Sequence, residues 1–260
     1  MLKTEKTRRK EVLCLEFKRG QFKINGLNSS EFNVYMSERP QRLSANRVIE
    51  LRPRPGNHSL IVDHKYYQNV EWKIKCYSKV KYLDDVSSQE DLITNWLDTG
   101  SYSDFIYFFD REYIYRAVVT EPPVFIGTRK NGNLIPFEFG VSLQPFKESY
   151  VGRNPIELSN GKEIYNSKKY HSKPRIHIWG TGDISFYINN EKYQLKNVPE
   201  DIIIDSQVEE SFQYHNGEIL FLDDRTLFKD YPLLPPGWMT FKWTGDVSKF
   251  ELIPRWVTKV

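Results

Sequence analysis

Apolar residues along this chain recur mostly at period two, the spacing at which successive side chains leave opposite faces of a strand. Val12, Cys14, Phe17, Phe22 and Ile24 open the pattern, and Trp72, Ile74 and Cys76 resume it with Tyr77 and Lys79 alternating. It returns over residues 113–119, 134–139, 175–179, 184–188, 202–204, 218–222, 239–243 and 250–253. Four Asn-Gly pairs, Asn25-Gly26, Asn131-Gly132, Asn160-Gly161 and Asn216-Gly217, supply the positive φ that tight hairpin turns need, and Pro235-Pro236-Gly237 suits a further turn. A mainly β chain of sandwich or barrel architecture follows.

Two segments depart from this rhythm. Ser87-Ser88-Gln89-Glu90 offers a capping-box start, Leu92, Ile93, Trp96 and Leu97 share a helical face, and Gly100 can end the turn, which predicts one short helix. Residues 39–65 are rich in Arg and poor in core residues, with Arg52-Pro53-Arg54-Pro55-Gly56-Asn57 interrupting an extended run. That predicts a long arm or hairpin projecting from the body. The alternation lapses around 145–154, where Gly152 and then Pro155 appear, so two domains are expected, 1–150 and 151–260.

Composition narrows the class. The 260 residues include 16 Phe, 16 Tyr and 6 Trp with 27% charged residues, which suits a packed core rather than a disordered chain. The formal charge is +3, divided as 23 basic against 19 acidic residues up to position 150 and 14 against 15 beyond it. That lacks the basic excess of a dedicated nucleic-acid binder. The polar start, 1–11, precedes no apolar run of signal-peptide type, and no stretch approaches the ~20 apolar residues of a membrane span. Cys14 and Cys76 alone can build neither a disulfide framework nor a four-cysteine metal site, so both are expected as reduced core thiols.

Motifs for chemistry are scarce. His58, His64, His171, His177 and His215 stand in no metal-ligand spacing, and neither a nucleophile elbow nor a phosphate-cradling loop occurs. Paired acids occur at Asp84-Asp85, Glu209-Glu210 and Asp223-Asp224, but neighbours on a strand point to opposite faces and such pairs in turns are usually solvated. The expectation is therefore no enzyme, no cofactor and no metal. Arg39, Arg42, Arg47, Arg52 and Arg54 form the densest basic cluster, open to a phosphate-contacting role but read in preference as an interface, where the planar guanidinium serves carboxylates and carbonyls. His177 and Trp179 lie two apart and should share one strand face, either half of a sugar-binding surface or ordinary strand packing. Trp238 joins them as a candidate saccharide or partner contact.

The run Phe22-Lys23-Ile24-Asn25-Gly26-Leu27-Asn28-Ser29-Ser30-Glu31-Phe32-Asn33-Val34 resembles the opening signature of distal tail proteins of long-tailed bacteriophages that infect Gram-positive hosts. In that family's order follow Arg54-Pro55-Gly56, Trp96-Leu97, a strand at 113–119, and 134–139 with Leu143-Gln144-Pro145-Phe146. In the second half the resemblance runs through 172–180, 202–206, 231–237 and Ile253-Pro254-Arg255-Trp256. It implies an N-terminal ring-forming β-sandwich or barrel with one short helix and an arm, and a C-terminal galectin-like β-sandwich.

It further implies a virion protein at the distal end of the tail, made and assembled in the host cytoplasm. Six copies would form a ring joining the tail tube protein to the tail-tip hub, with receptor-binding or other baseplate proteins docked outside. Genomic DNA would meet the ring only in transit, and no membrane is involved. The arm arginines would lie between neighbouring copies. Two departures stand out: 1–11 extend beyond the usual start, and Gly56-Asn57-His58-Ser59 differs from the family's usual arm tip. The alternatives are a carbohydrate-binding protein for host cell-wall saccharide, using the Trp179 and Trp238 region, and a hydrolase that would depend on Asp223 or Asp224.

Overall fold

The computed structural model describes residues 17–127 and 133–260, so 1–11, Val12, Cys14 and the Asn131-Gly132 pair lie outside the described residues. The chain divides into two compact units, Met1–Lys147 with Lys259–Val260, and Glu148–Thr258. In chain order the first unit contains β1 (Phe22–Ile24), β2 (Leu27–Asn28), β3 (Val34–Met36), β4 (Arg47–Arg54), β5 (Asn57–Tyr67) and β6 (Val70–Lys79). After these come α1 (Val86–Leu97), β7 (Ser103–Tyr107), β8 (Tyr113–Phe125), β9 (Leu134–Leu143) and the start of β10 (Phe146–Ser149).

The main sheet of this unit runs β2-β1-β7-β8-β9-β6-β3, with β10 beside β8. Strand β6 alternates between buried and exposed residues along its length, so Trp72, Ile74 and Cys76 enter the core as the period-two pattern predicts. Asn25 and Gly26 both adopt positive φ, at 55° and 79°, and close the β1–β2 turn. Strand β8 continues beyond residue 119 to Phe125 because β9 supplies a ladder partner, but its register shifts twice around Glu121. Pro122 and Pro123 follow, and neither has an N–H to give.

Helix α1 departs from expectation at its start. It begins one residue before Ser87, its N-cap is Asp85, and no side chain caps it. The working capping box is instead at Asn28, whose Oδ1 accepts the Ser30 N–H at 3.0 Å while its own N–H donates to Glu31 Oε1 at 2.8 Å. Ile93, Trp96 and Leu97 are buried, whereas Leu92 is 46% exposed and lies off the packed face. Trp96 stacks on Phe32 at 4.2 Å and on Phe22 at 5.6 Å, which ties the helix to the 22–34 segment. Burial pushes the Cys76 thiol well up, as suits a packed core thiol.

The second unit holds the end of β10, β11 (Ile156–Leu158), β12 (Glu163–Asn166), β13 (Arg175–Ile188), β14 (Glu191–Val198), β15 (Asp201–Asp205) and β16 (Glu210–His215). It continues with β17 (Glu218–Phe221), β18 (Gly237–Ile253) and most of β19 (Val257–Lys259). Its sheet runs β11-β18-β13-β15-β16-β17, with β12 on β18 and β14 on β13. Ile176, Ile178, Phe186, Ile202, Ile204, Phe241 and Phe250 line its core.

The sequence pattern predicts separate strands at 175–179 and 184–188 and at 239–243 and 250–253. Each pair is fused into one long strand, β13 and β18, which run antiparallel with shifts between Trp179 and Gly180 and between Thr181 and Ser185. These irregularities break the apolar alternation while the pairing persists, so periodicity sees two strands where the ladder makes one.

A polar pin closes this unit from within. Arg255 takes φ 49°, its N–H donates to Gly152 O at 2.8 Å, and its guanidinium grips both oxygens of Asp205 at 2.6 and 2.7 Å. Burial pushes the Asp205 carboxyl up, but the Arg255 fork and the Gln207 N–H outweigh it and hold it below the ordinary value of 3.8. A carboxyl depressed in this way stabilises the fold above its unfolded value, and that stability is lost as pH falls through the folded value.

Candidate functional site

The interface candidates lie in the first unit, and the saccharide or partner candidates lie at two separate places in the second. In the first, β4 and β5 pair, among the described residues, only with each other, as a two-stranded sheet turned at Pro55-Gly56, where Gly56 takes φ 72°. The ladder puts Leu51 opposite Ile61 and Ile49 opposite Asp63 on one face, and Arg52 opposite Leu60 and Glu50 opposite Val62 on the other. Apolar groups therefore stand on both faces: Ile49, Leu51, Leu60 and Ile61 are 51%, 59%, 47% and 64% exposed. An isolated two-stranded hairpin is marginal in water, and one with two apolar faces calls for a cover.

Of the five candidate arginines, three sit in the hairpin. Arg47 Nε donates to Asp63 Oδ1 at 2.9 Å, and its fork together with the Lys65 N–H holds the Asp63 carboxyl down at about 2. Arg52 makes two bonds to Glu50 on its own strand, at 3.0 and 3.2 Å, and Arg54 lies at the tip opposite Asn57. Arg39 and Arg42 precede the hairpin. Arg39 lines a groove of about 470 Å³ with Glu38, Leu43, Glu71, Trp72 and Lys73. Arg47 and Arg52 are thus partly neutralised by carboxylates, which suits an interface rim better than a phosphate cradle. Ile49, Leu51, Leu60 and Ile61, between the arginines, are exposed as well, and their signal was present in the sequence as Ile49, Leu51 and Leu60-Ile61-Val62.

In the second unit His177 and Trp179 do share a face, opposite the buried Ile176 and Ile178. Their rings stack at 3.5 Å, and Lys249 Nζ lies 4.3 Å from the Trp179 ring centre. His177 Nε2 is 2.6 Å from Asp201 Oδ2, Lys249 pairs with Glu251 at 3.0 Å, and the Arg175 guanidinium sits 5.7 Å over Phe212. Arg175, His177, Glu251 and Ile253 enclose a hollow of about 190 Å³.

Burial lowers the His177 pKa below 6.5, and the Asp201 hydrogen bond opposes that only in part. The unfolded chain therefore takes up a proton at a higher pH than the folded imidazole does. The second unit's melting temperature is expected to fall as pH drops from 7 through 6.5 toward 5, and to fall again below about 4 as Asp205 protonates. Calorimetric scans against pH check this, with His177→Gln expected to flatten the first step only.

Trp238 is not part of that face's cluster. It pairs across the ladder with Tyr165, their rings 5.1 Å apart and 68% and 53% exposed, beyond the point where Phe241 meets Ile188. From His177 to Ile188 is eleven residues of β13, on the order of 35 Å at about 3.3 Å each along an uncurled strand.

The paired acids do not converge either. Asp223 Oδ1 accepts the Ser211 N–H at 2.6 Å and the Tyr231 hydroxyl at 3.0 Å, Asp224 pairs with Arg225, and Glu209 pairs with Lys173. Among the described residues no group of three or more His, Cys, Asp or Glu side chains could hold a metal ion, and no helix is long and apolar enough to cross a membrane.

No protein-family model and no curated protein matches the sequence. Solved structures do match the fold. The SPP1 Dit (gp 19.1) protein, a paradigm of the hub adsorption apparatus in phages infecting Gram-positive hosts, is 10% identical with a TM-score of 0.69, over 90% of this chain and 98% of that one. A chain of the phage P2 baseplate in its activated conformation with Ca is 11% identical with a TM-score of 0.58, over 94% and 99%. The form with Sr gives 10% and 0.56 over the same shares. The fold of this chain is that of the SPP1 Dit protein across both units.

Proposed function

We propose that this chain is a structural, non-catalytic subunit of a phage tail tip, an adaptor whose first unit joins like copies into a ring and whose second unit presents docking surface to other baseplate proteins. The ring, expected to be six-fold, would sit between tail tube and tail-tip hub and leave a channel for DNA. One observation carries this reading: the β4–β5 hairpin has apolar side chains on both faces that its own unit leaves exposed. A neighbouring copy would cover those faces in a head-to-tail contact that closes by rotation, and closure keeps such contacts from growing into filaments. A fold shared over 90% of the chain with a phage hub protein supports the same reading. In this reading the second unit is a galectin-like sandwich, and ring formation falls to 1–150 and docking to 151–260.

The saccharide alternative gains less support. The ring of Trp179 is already engaged by His177 and Lys249, and Trp238 lies apart from it. That face suits a protein partner.

Light scattering across a concentration series tests the ring. The expected species is near six times 30.9 kDa, about 185 kDa, with a central hole in negative stain. Leu51→Asp combined with Ile61→Asp, both at exposed hairpin positions, should leave the fold intact and raise the concentration needed for assembly at least tenfold. An assembly unaffected by that pair would sink the hairpin reading.

A further inference from the structure

Among the described residues, strand β17 is the last strand of the second unit's sheet and pairs only with β16. The Leu222 N–H donates to Ser211 O at 2.7 Å, so in the antiparallel alternation Leu220 and Glu218 also face β16. The N–H and C=O of Ile219 and Phe221 therefore point away from the sheet. All four β17 residues are exposed, and Ile219, Leu220 and Phe221 are 52%, 50% and 57% so.

Side chains strengthen the case. Phe212 stands opposite Phe221 and Tyr214 opposite Ile219, which sets Tyr214, Ile219 and Phe221 on one face as an apolar strip. Natural sheets blunt such edges with Lys, Pro or a bulge, and β17 has none of these. The flanks lean acidic: between 209 and 225 stand Glu209, Glu210, Glu218, Asp223 and Asp224, of which Glu209 pairs with Lys173, Asp224 pairs with Arg225, and Asp223 accepts from Ser211 and Tyr231. Glu218 is at one end of the strand and Asp223-Asp224 just past the other.

We propose that the β17 edge is a strand-acceptor site, which takes an extended segment of another protein in β-augmentation. The segment is apolar at alternate positions and carries Lys or Arg at its ends. Main-chain bonds to Ile219 and Phe221 give affinity, and the Tyr214–Ile219–Phe221 strip and acidic flanks give register and choice of partner. A second copy of this chain is the wrong occupant. Antiparallel pairing of β17 with itself brings the Glu218 of each copy beside Asp223-Asp224 of the other, and like charges so placed are repulsive. The site stands whether or not the first unit closes a ring.

A yeast-displayed library of random twelve-residue peptides, panned against the full-length chain, tests this. The expected winners alternate apolar residues with Lys or Arg near their ends. Ile219→Pro removes an outward N–H and no ladder bond, and edge strands tolerate proline at such a position. It should weaken the winners at least tenfold with the melting temperature kept, as should Ile219→Lys, which places a guarding charge on the strip. N-methylation of alternate peptide amides should do the same. Equal enrichment on wild type and both variants would overturn the site. So would winners without period two, or a wild-type dimer in sedimentation that Ile219→Pro dissolves, which would hand the edge to a second copy.

Discussion

Lys147→Met is expected to destabilise the first unit by about 3–5 kcal/mol, because it leaves the Asp110 carboxylate without its buried cation. Lys147 is only 2% exposed, and its ammonium pairs with Asp110, donates to the Tyr115 hydroxyl at 2.9 Å and lies 4.0 Å from the Tyr113 ring centre. Tyr115 in turn donates to Asp110 Oδ2 at 2.5 Å. Burial pushes the Tyr115 hydroxyl far above its ordinary range, so it stays a donor throughout the working pH. Urea unfolding followed by Trp fluorescence measures the loss. The double variant Lys147→Met with Asp110→Leu should recover most of it, since a buried pair replaced whole by apolar groups is nearly neutral. A single variant as stable as the wild type would show that the pair is not closed off from water.

Gly180→Ala should be nearly as damaging in the second unit, at about 2–3 kcal/mol, the upper part of the range for overpacking. A Cβ there would lie 2.2 Å from Asp246 O and 3.0 Å from Ile184 Cδ1. The first of these is backbone, held by the β13–β18 ladder just where its register shifts. Relief would require the two longest strands to part, so hydrogen exchange should quicken at amides on both sides of the shift. Gly127→Ala is the control: it meets nothing within 4 Å among the described residues, its φ is not positive, and its stability should stay within about 0.5 kcal/mol.

Strand content was legible because burial alternates along β6 and β13 as the apolar residues do, and local periodicity reports which face is wet. Asn25-Gly26 and Asn216-Gly217 were readable for the same local reason, since both residues of each pair take positive φ. The arm was legible as an interruption rich in Arg, whereas its two apolar faces follow from the β4–β5 ladder register, which local spacing does not set. Apolar residues split between the two faces of a hairpin break the alternation by which a single wet face is read.

The sequence by itself determined the β class, the short helix before Gly100, the Pro-Gly hairpin turn and the shared face of His177 and Trp179, all set by neighbours a few residues apart. Only the tertiary structure decided that 175–179 and 184–188 form one strand, that Trp238 lies apart from Trp179, and that Lys147 is buried against Asp110. It also decided that β17 is, among the described residues, the last strand of its sheet. Each of these depends on which distant strand becomes a partner, and pairing over long separations is chosen by packing the whole core, a sum that no local pattern contains.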